Sequence, residues 1–287
     1  EARLPDGSRL QALVAPVAPG GPCVAIRRFS RDTFSLDRLV DLGTLSHDAV
    51  ATLDAFVVAK LNVLVAGGTG SGKTSLLNAL TRFIPESERI VVIEDSKEVQ
   101  VQHGHVVQLE AHPPDAEGRG AVSIRDLFRA TLRLRPDRIV IGEIRGGEAL
   151  DIVQAMVSGH GGCLATLHAT YPRDTLTRLE TMALMSDVDI PLAALRAQIA
   201  SGVNVIVQVA RARDGARKVT HITEVRGFDF ATARYELADL FVRDVFTPKN
   251  ELRPTGVMPT FLEQLAEHGA RLPKSVLDAG KRKEPKS

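Results

Sequence analysis

The sequence predicts an α/β fold, a mostly parallel sheet with helices on both faces. Three observations carry this expectation. Short apolar runs alternate with helical patterns through residues 46–246, the arrangement of parallel strands joined by crossover helices and buried on both sides. One run, Leu61-Asn62-Val63-Leu64-Val65-Ala66, leads into Gly67-Gly68-Thr69-Gly70-Ser71-Gly72-Lys73-Thr74 and then a helical stretch from Ser75 to Leu80. That is a strand, a phosphate loop and a helix. Asp214-Gly215, between two strand-like runs, signals a hairpin and so antiparallel strands at one sheet edge.

In chain order, residues 1–34 form a β-rich piece with strands expected at 10–17 and 23–29. Pro16, Pro19, Gly20, Gly21 and Pro22 make the connection, and Asp6-Gly7 supplies an earlier turn. So short a segment cannot bury a core of its own, so it is the end of a larger domain or an addition to the next. The chain begins at Glu1 in mid-pattern, and the expectation is a fragment whose natural N-terminus has been removed. Residues 35–45 read as a linker, helical or irregular, and Ser46-His47-Asp48 opens an amphipathic helix to about Lys60. Strands are expected at 61–66, 89–94, 106–110, 138–142, 162–168 and 203–211, with helices at 73–83, 123–134, 147–158, 173–185 and 191–201. The extension 247–287 starts as a loop punctuated by Pro248, Pro254, Gly256 and Pro259, with a short helix between Pro259 and His268. Its basic end, from Lys281, is expected to be disordered, as a solvated tail or in contact with anionic lipid.

With 287 residues, 44% hydrophobic and 25% charged, the chain has an ordinary globular composition with room for one large domain or two modest ones. A net charge of +1 gives no global field for nucleic acid or an anionic membrane. With no Trp and two Tyr, a stacking platform for single strands is not expected. Cys23 and Cys163 lack metal-ligand spacing and read as reduced thiols of a cytosolic protein, Cys163 as a small buried residue. There is no signal peptide and no long apolar span.

The phosphate loop defines the chemistry. Its glycines let backbone N–H groups turn toward phosphate oxygens, and the following helix presents about half a positive charge at its N-terminus. Lys73 can reach the β- and γ-phosphates, Thr74 can offer its hydroxyl to Mg²⁺, and Gly67, Gly68, Thr69, Gly70, Ser71, Gly72 and Ser75 complete the cradle. Such a loop needs acidic groups to hold the metal and orient water. Arg89-Ile90-Val91-Val92-Ile93-Glu94-Asp95 delivers two carboxylates at a strand end, where ligands bind in open sheets. Asp95 can serve the metal or cap the next turn. Arg138-Ile139-Val140-Ile141-Gly142-Glu143 repeats the design with a Glu in place of the usual Asp, and Gly162-Cys163-Leu164-Ala165-Thr166-Leu167-His168 brings a histidine to a third strand end. His160 sits just before that strand in a glycine-rich turn, which can carry a histidine for catalysis or for none. His103, His105 and His112 read as loop residues without metal spacing. Arg9, Arg27, Arg28 and Arg145 can contact phosphate or be solvated surface, and the sequence leaves that open.

The phosphate loop, Ile93-Glu94-Asp95, Gly142-Glu143-Ile144-Arg145 and Thr166-Leu167-His168-Ala169, in this order, resemble the secretion ATPase superfamily of type II secretion, type IV pili and type IV secretion. Within it the chain looks most like the tight-adherence (Flp) pilus assembly branch, through Arg3-Leu4-Pro5-Asp6-Gly7-Ser8-Arg9, Glu117-Gly118-Arg119-Gly120, Arg178-Leu179-Glu180-Thr181-Met182 and His221-Ile222-Thr223-Glu224. The resemblance spans about residues 3–269. It implies a RecA-like P-loop domain preceded by the remnant of a small α/β N-terminal domain, assembled as a ring of six with nucleotide in the cleft between the domains. It implies Glu94 as catalytic base, Glu143 near Mg²⁺, His160 and His168 as a pair sensing the γ-phosphate, and Arg9 and Arg27 reaching the phosphates. No structural zinc is expected, because a four-cysteine module of some members is absent. The expected function is a cytoplasmic, Mg²⁺-dependent ATP hydrolase, peripheral at the inner membrane. It would act on an inner-membrane platform protein to assemble a pilus or export protein. A conjugation-type secretion ATPase, a nucleic-acid translocase and a non-hydrolysing nucleotide-bound scaffold are the alternatives.

Overall fold

In the computed structural model the chain divides into two units, Glu1–Thr33 and Phe34–Ser287. Residues 2–28, 34–115, 117–243 and 250–281 are described. The first unit holds an antiparallel sheet in the order β1 (Ala2–Arg3), β2 (Arg9–Leu13), β3 (Cys23–Arg27). Both expected strands are present but shorter, since Pro16 and its neighbours bend the chain into turns after Leu13. Phe29, the expected end of the second strand, lies outside the described residues. The unit's described residues include no helix.

The second unit is a nine-stranded sheet in the order β12-β11-β10-β9-β4-β8-β7-β5-β6. Its parallel members are β4 (Val63–Gly67), β5 (Ile90–Glu94), β6 (Val106–Glu110), β7 (Arg138–Ile141), β8 (Leu164–Leu167) and β9 (Val205–Arg211). The antiparallel edge is β10 (Arg217–Asp229), β11 (Arg234–Arg243) and β12 (Leu252–Pro254). Every residue of β4, β5, β7 and β8 is buried, as strands covered on both faces must be.

One face carries α2 (His47–Val58) and α3 (Lys73–Thr81), whose Leu53, Phe56, Leu76 and Leu80 share a core with Val65, Val207 and Val209. Ser46 caps α2 by accepting from the Ala49 amide at 3.3 Å. The other face carries α4 (Ile124–Thr131), α5 (Glu148–Val157), α6 (Pro172–Ala183) and α7 (Leu192–Gly202) against Ile93, Ile141 and Ile206.

The stretch read as a linker contains α1 (Leu36–Asp41) and places Leu39 and Leu45 in the same core as α2. The C-terminal segment does the same. α8 (Leu262–Glu267) and α9 (Lys274–Lys281) contribute Leu265 and Val276, and Phe261 meets Phe56 edge-on at 5.1 Å. Neither α9, β11 nor β12 was expected. Residues 282–287, the expected disordered end, lie outside the described residues.

The chain leaves β4 for the β5 side, returns through β7 and β8, then crosses over β4 to β9. β4 is thus flanked by β8 and β9 at the point where the strand order reverses. In open α/β sheets that reversal, at the carboxyl ends of the strands, is where ligands bind. Gly67 of the glycine-rich loop stands there.

Candidate nucleotide site

The loop between β4 and α3 is built by its glycines. Gly70 and Gly72 hold φ of 67° and 97°, a region costly for residues with a β carbon, so the chain can wrap and enter α3 within two residues. Ser71 ties the loop by donating from Oγ to the Gly68 carbonyl at 2.8 Å. Lys73 is buried, and its Nζ donates to the Gly67 and Gly68 carbonyls, both at 3.1 Å. Gly68, Thr69 and Gly70 are exposed, while Thr74 and Ser75 are half-buried on the first turn of α3.

Three strand ends bring chemistry to this loop. Glu94, the last residue of β5, is buried at 4% exposure. Its Oε1 accepts from the Glu98 and Val99 amides at 2.9 and 2.7 Å. Burial outweighs those bonds and pushes its pKa up to about 7. Gly142 makes room for it, since a β carbon there would stand 2.9 Å from Glu94 Cγ. Glu143, just past β7, takes Arg145 Nε on Oε2 at 2.7 Å. Its Oε1 is buried, 2.6 Å from His168 Nε2, without a well-aligned hydrogen bond. Arg145 reaches on to Asp95 Oδ2 at 2.8 Å, so Asp95 pairs with this arginine.

His168, after β8, lies between Glu143 and Lys73, whose Nζ is 3.4 Å from Nδ1. Burial and then the Lys73 charge lower its pKa, against a smaller opposing pull from Glu143, which leaves the imidazole neutral near pH 7.

His160 is not brought into this cluster, a correction to the expected histidine pair. It precedes β8 and His168 follows it. The four residues of that strand, at about 3.3 Å each, hold the two at opposite ends of the sheet. His160 Nδ1 is buried there without a partner, at the end where Arg138 lies wholly buried against Glu88. Arg9 and Arg27 belong to the first unit, where they oppose each other across β2 and β3, and Arg28 follows β3. Cys163 is buried, its thiol pushed up to about 12, which makes it an inert packing residue.

Three residues that hold the site were missed by sequence reasoning. Glu148, at the start of α5, accepts from the Arg145 and Gly146 amides at 2.7 and 2.9 Å and so fixes the backbone carrying Arg145. An acid in a first helical turn was the available signal. Thr166 donates to the Gly142 carbonyl at 2.5 Å, tying β8 to the turn before Glu143. Asn78 of α3 accepts from the Gln100 amide at 3.0 Å, pinning the loop that follows Glu94. No local signal marked the last two.

Hydroxyl and carboxylate oxygens at one rim, with a buried Glu143 oxygen short of a hydrogen bond, suit Mg²⁺. Among the described residues no three His, Cys, Asp or Glu are placed to hold a metal by themselves, so phosphate oxygens and water would complete such a shell.

A phosphate loop at the reversal point of a mostly parallel sheet, facing carboxylates on neighbouring strand ends, defines a P-loop nucleotide-binding protein. The model of the type II/IV secretion system protein family matches residues 1–237, and the chain belongs to that family. It is 39% identical over 244 residues to the type IV secretion system protein PtlH of Bordetella pertussis, covering 76% of this chain and 71% of PtlH. A Mycobacterium tuberculosis relative named for conjugal transfer is 41% identical over 218 residues, and the match spans 61% of that protein's length. Among solved structures, the VirB11 ATPase of the Brucella suis type IV secretion system superposes with a TM-score of 0.55 at 30% identity, covering 77% of this chain and 72% of that one. The pilus retraction motor PilT, at 18% identity and TM-score 0.53, covers 92% of this chain and 68% of its own and shares the fold. The fold is RecA-like.

Proposed function

We propose that the chain is the Mg²⁺-dependent ATP-hydrolysing part of a motor that drives pilus assembly or export across the inner membrane. One observation carries this: Lys73, Glu94, Asp95, Glu143, Arg145 and His168 converge at the strand ends beside the phosphate loop. Thr74 and Glu143, with Asp95, would hold Mg²⁺, which when bound neutralises phosphate charge. Lys73 leaves the Gly67 and Gly68 carbonyls for the β- and γ-phosphates. Glu94, with Oε1 held by two amides, takes a proton from water on Oε2, and a pKa of about 7 suits a base at neutral pH. His168, neutral, donates a hydrogen bond beside the terminal phosphate without adding charge. Arg9, Arg27 and Arg28 are proposed as phosphate contacts, and His160 to act at another place than His168. The working form is a homohexameric ring, cytoplasmic and peripheral to the membrane, docked on an inner-membrane platform protein.

A second reading is a conjugation-type secretion ATPase, favoured by the names of the relatives. Export by either route uses the same site. The test is to compare Glu94→Gln and Glu143→Gln in the assembled full-length protein. Glu94→Gln is expected to keep ATP affinity and lose turnover, and turnover retained there would remove Glu94 as the base. Strong stimulation of turnover by DNA at low salt would favour a nucleic-acid translocase, and ATP binding with no phosphate release would favour a scaffold.

A further inference from the structure

The hairpin joining β9 and β10 lies against the phosphate loop on the side away from the acids. Gly67 pairs with Val209 of β9, and the hairpin beyond carries Arg211 and Arg217, directly opposite each other in register. Their faces follow from strand alternation. Val209 and Val219 pack with Leu76 and Leu80 of α3, so Arg211 and Arg217, two residues further along each strand, share the α3 side. A β carbon on Gly72 would stand 3.3 Å from Arg217 Cγ and 3.6 Å from its Cβ. The stem of Arg217 therefore rests on the glycine that opens α3.

Two like charges placed directly opposite across a ladder are destabilising, and here nothing offsets them. Both side chains are exposed, and neither has a carboxylate partner among the described residues. Arg145, across the site, is by contrast paired with Asp95 and Glu143. An arginine held without a carboxylate against the glycine that opens α3 is arranged for an anion.

The direction of the nucleotide follows from the same topology. Glu143 and His168 lie past β7 and β8 on one side of β4, so the terminal phosphate is drawn there. β9 and its hairpin lie on the other side, and the sheet reverses its strand order between the two. We propose that Arg217, supported by Arg211, binds the α-phosphate end of the nucleotide and fixes the direction in which the triphosphate lies in the loop. The proposal rests on the nucleotide-binding reading above. It makes the arginine pair a determinant of affinity for nucleoside di- and triphosphates alike, since both carry the α-phosphate, and gives guanidinium forks the advantage over a point charge.

The experiment measures ATP and ADP binding by calorimetry with full-length wild type, Lys73→Ala, Arg217→Gln, Arg217→Lys and Arg211→Gln, with ligand-free unfolding midpoints as a fold check. Arg217→Gln is expected to weaken ATP and ADP by the same factor, about ten-fold, with a ligand-free midpoint at or slightly above that of wild type, since the repulsion from Arg211 is relieved. Arg211→Gln should lose less, and Arg217→Lys should recover part of the affinity. Binding of both nucleotides by Arg217→Gln within two-fold of wild type overturns the proposal, as does a loss confined to ATP, which would place the arginine at the γ-phosphate. If wild type binds neither nucleotide, or Lys73→Ala binds as wild type does, the nucleotide reading itself falls. If those two behave as expected and only Arg217→Gln does not, the hairpin assignment alone is wrong.

Discussion

Glu94→Gln tests the base through stability as well as turnover. The carboxyl is raised from an ordinary 4.5 to about 7 by burial, so the folded protein holds this proton more tightly than the unfolded chain does. Stability from this group is therefore full below pH 4.5 and is lost as pH rises toward 7. At about 1.36 kcal/mol per pH unit, the ionised group costs the fold about 3 kcal/mol once both states are charged. Gln is nearly isosteric, its carbonyl can still accept from the Glu98 and Val99 amides, and it does not titrate. At pH 5.5 the wild type has lost only about 1 kcal/mol by the same linkage. The advantage of Gln over Glu should then grow by about 2 kcal/mol between pH 5.5 and pH 8.5. Constant effects of the substitution, such as altered packing, cancel in that difference. Urea unfolding of both proteins at the two pH values measures it. An advantage that stays flat would mean that Glu94 is not held near neutrality, and the argument for its proton-accepting role would lose its physical basis.

Glu88→Ala would leave Arg138 buried without its carboxylate and is expected to cost about 3–5 kcal/mol in urea unfolding, whereas replacing both by apolar residues should be close to neutral. His168 should titrate by NMR with a midpoint below 6.5, because burial and Lys73 both disfavour its charged form. Glu143→Gln should lower that midpoint further and Lys73→Ala should raise it, and a wild-type midpoint above 6.5 would contradict the placement of the ring.

The central strands were legible because each is a short apolar run bounded by polar residues, and β4, β5, β7 and β8 are buried throughout. β11 was not. Its buried and exposed residues do not alternate cleanly, and register shifts in its partner β10 break the period that would have revealed it. α9 is eight residues long and contains Gly280, too short and too weak in propensity to stand out. Within the site, Glu94, Glu143 and His168 were legible because each ends an apolar strand. His160 was paired with His168 through the family resemblance, yet the buried strand between the two separates them. Arg211 and Arg217 carried no signal, since their opposition depends on hairpin register and their place beside Gly72 depends on which strand neighbours β4.

The bonds within the cluster explain how so many charges can stand together. Two adjacent carboxylates of one strand end and a third on its neighbour would repel one another. Arg145 spans Asp95 and Glu143, and Glu94 is kept near its neutral form by burial. Lys73, a buried cation, lies on two loop carbonyls. Lys73 and Arg145 are each held by bonds that nucleotide binding must break or share. Burying a charge without a partner costs several kcal/mol, so these bonds stabilise the cluster. They are also weaker alternatives to the phosphate contacts, because a carbonyl is a poorer partner for Lys73 than a phosphate oxygen. Replacing one set by the other requires Lys73 and Arg145 to move. The backbone bonds from Glu148, Thr166 and Asn78 hold still the frame against which they move. The rigid part of the site is thus its backbone, and the responsive part is its two cations.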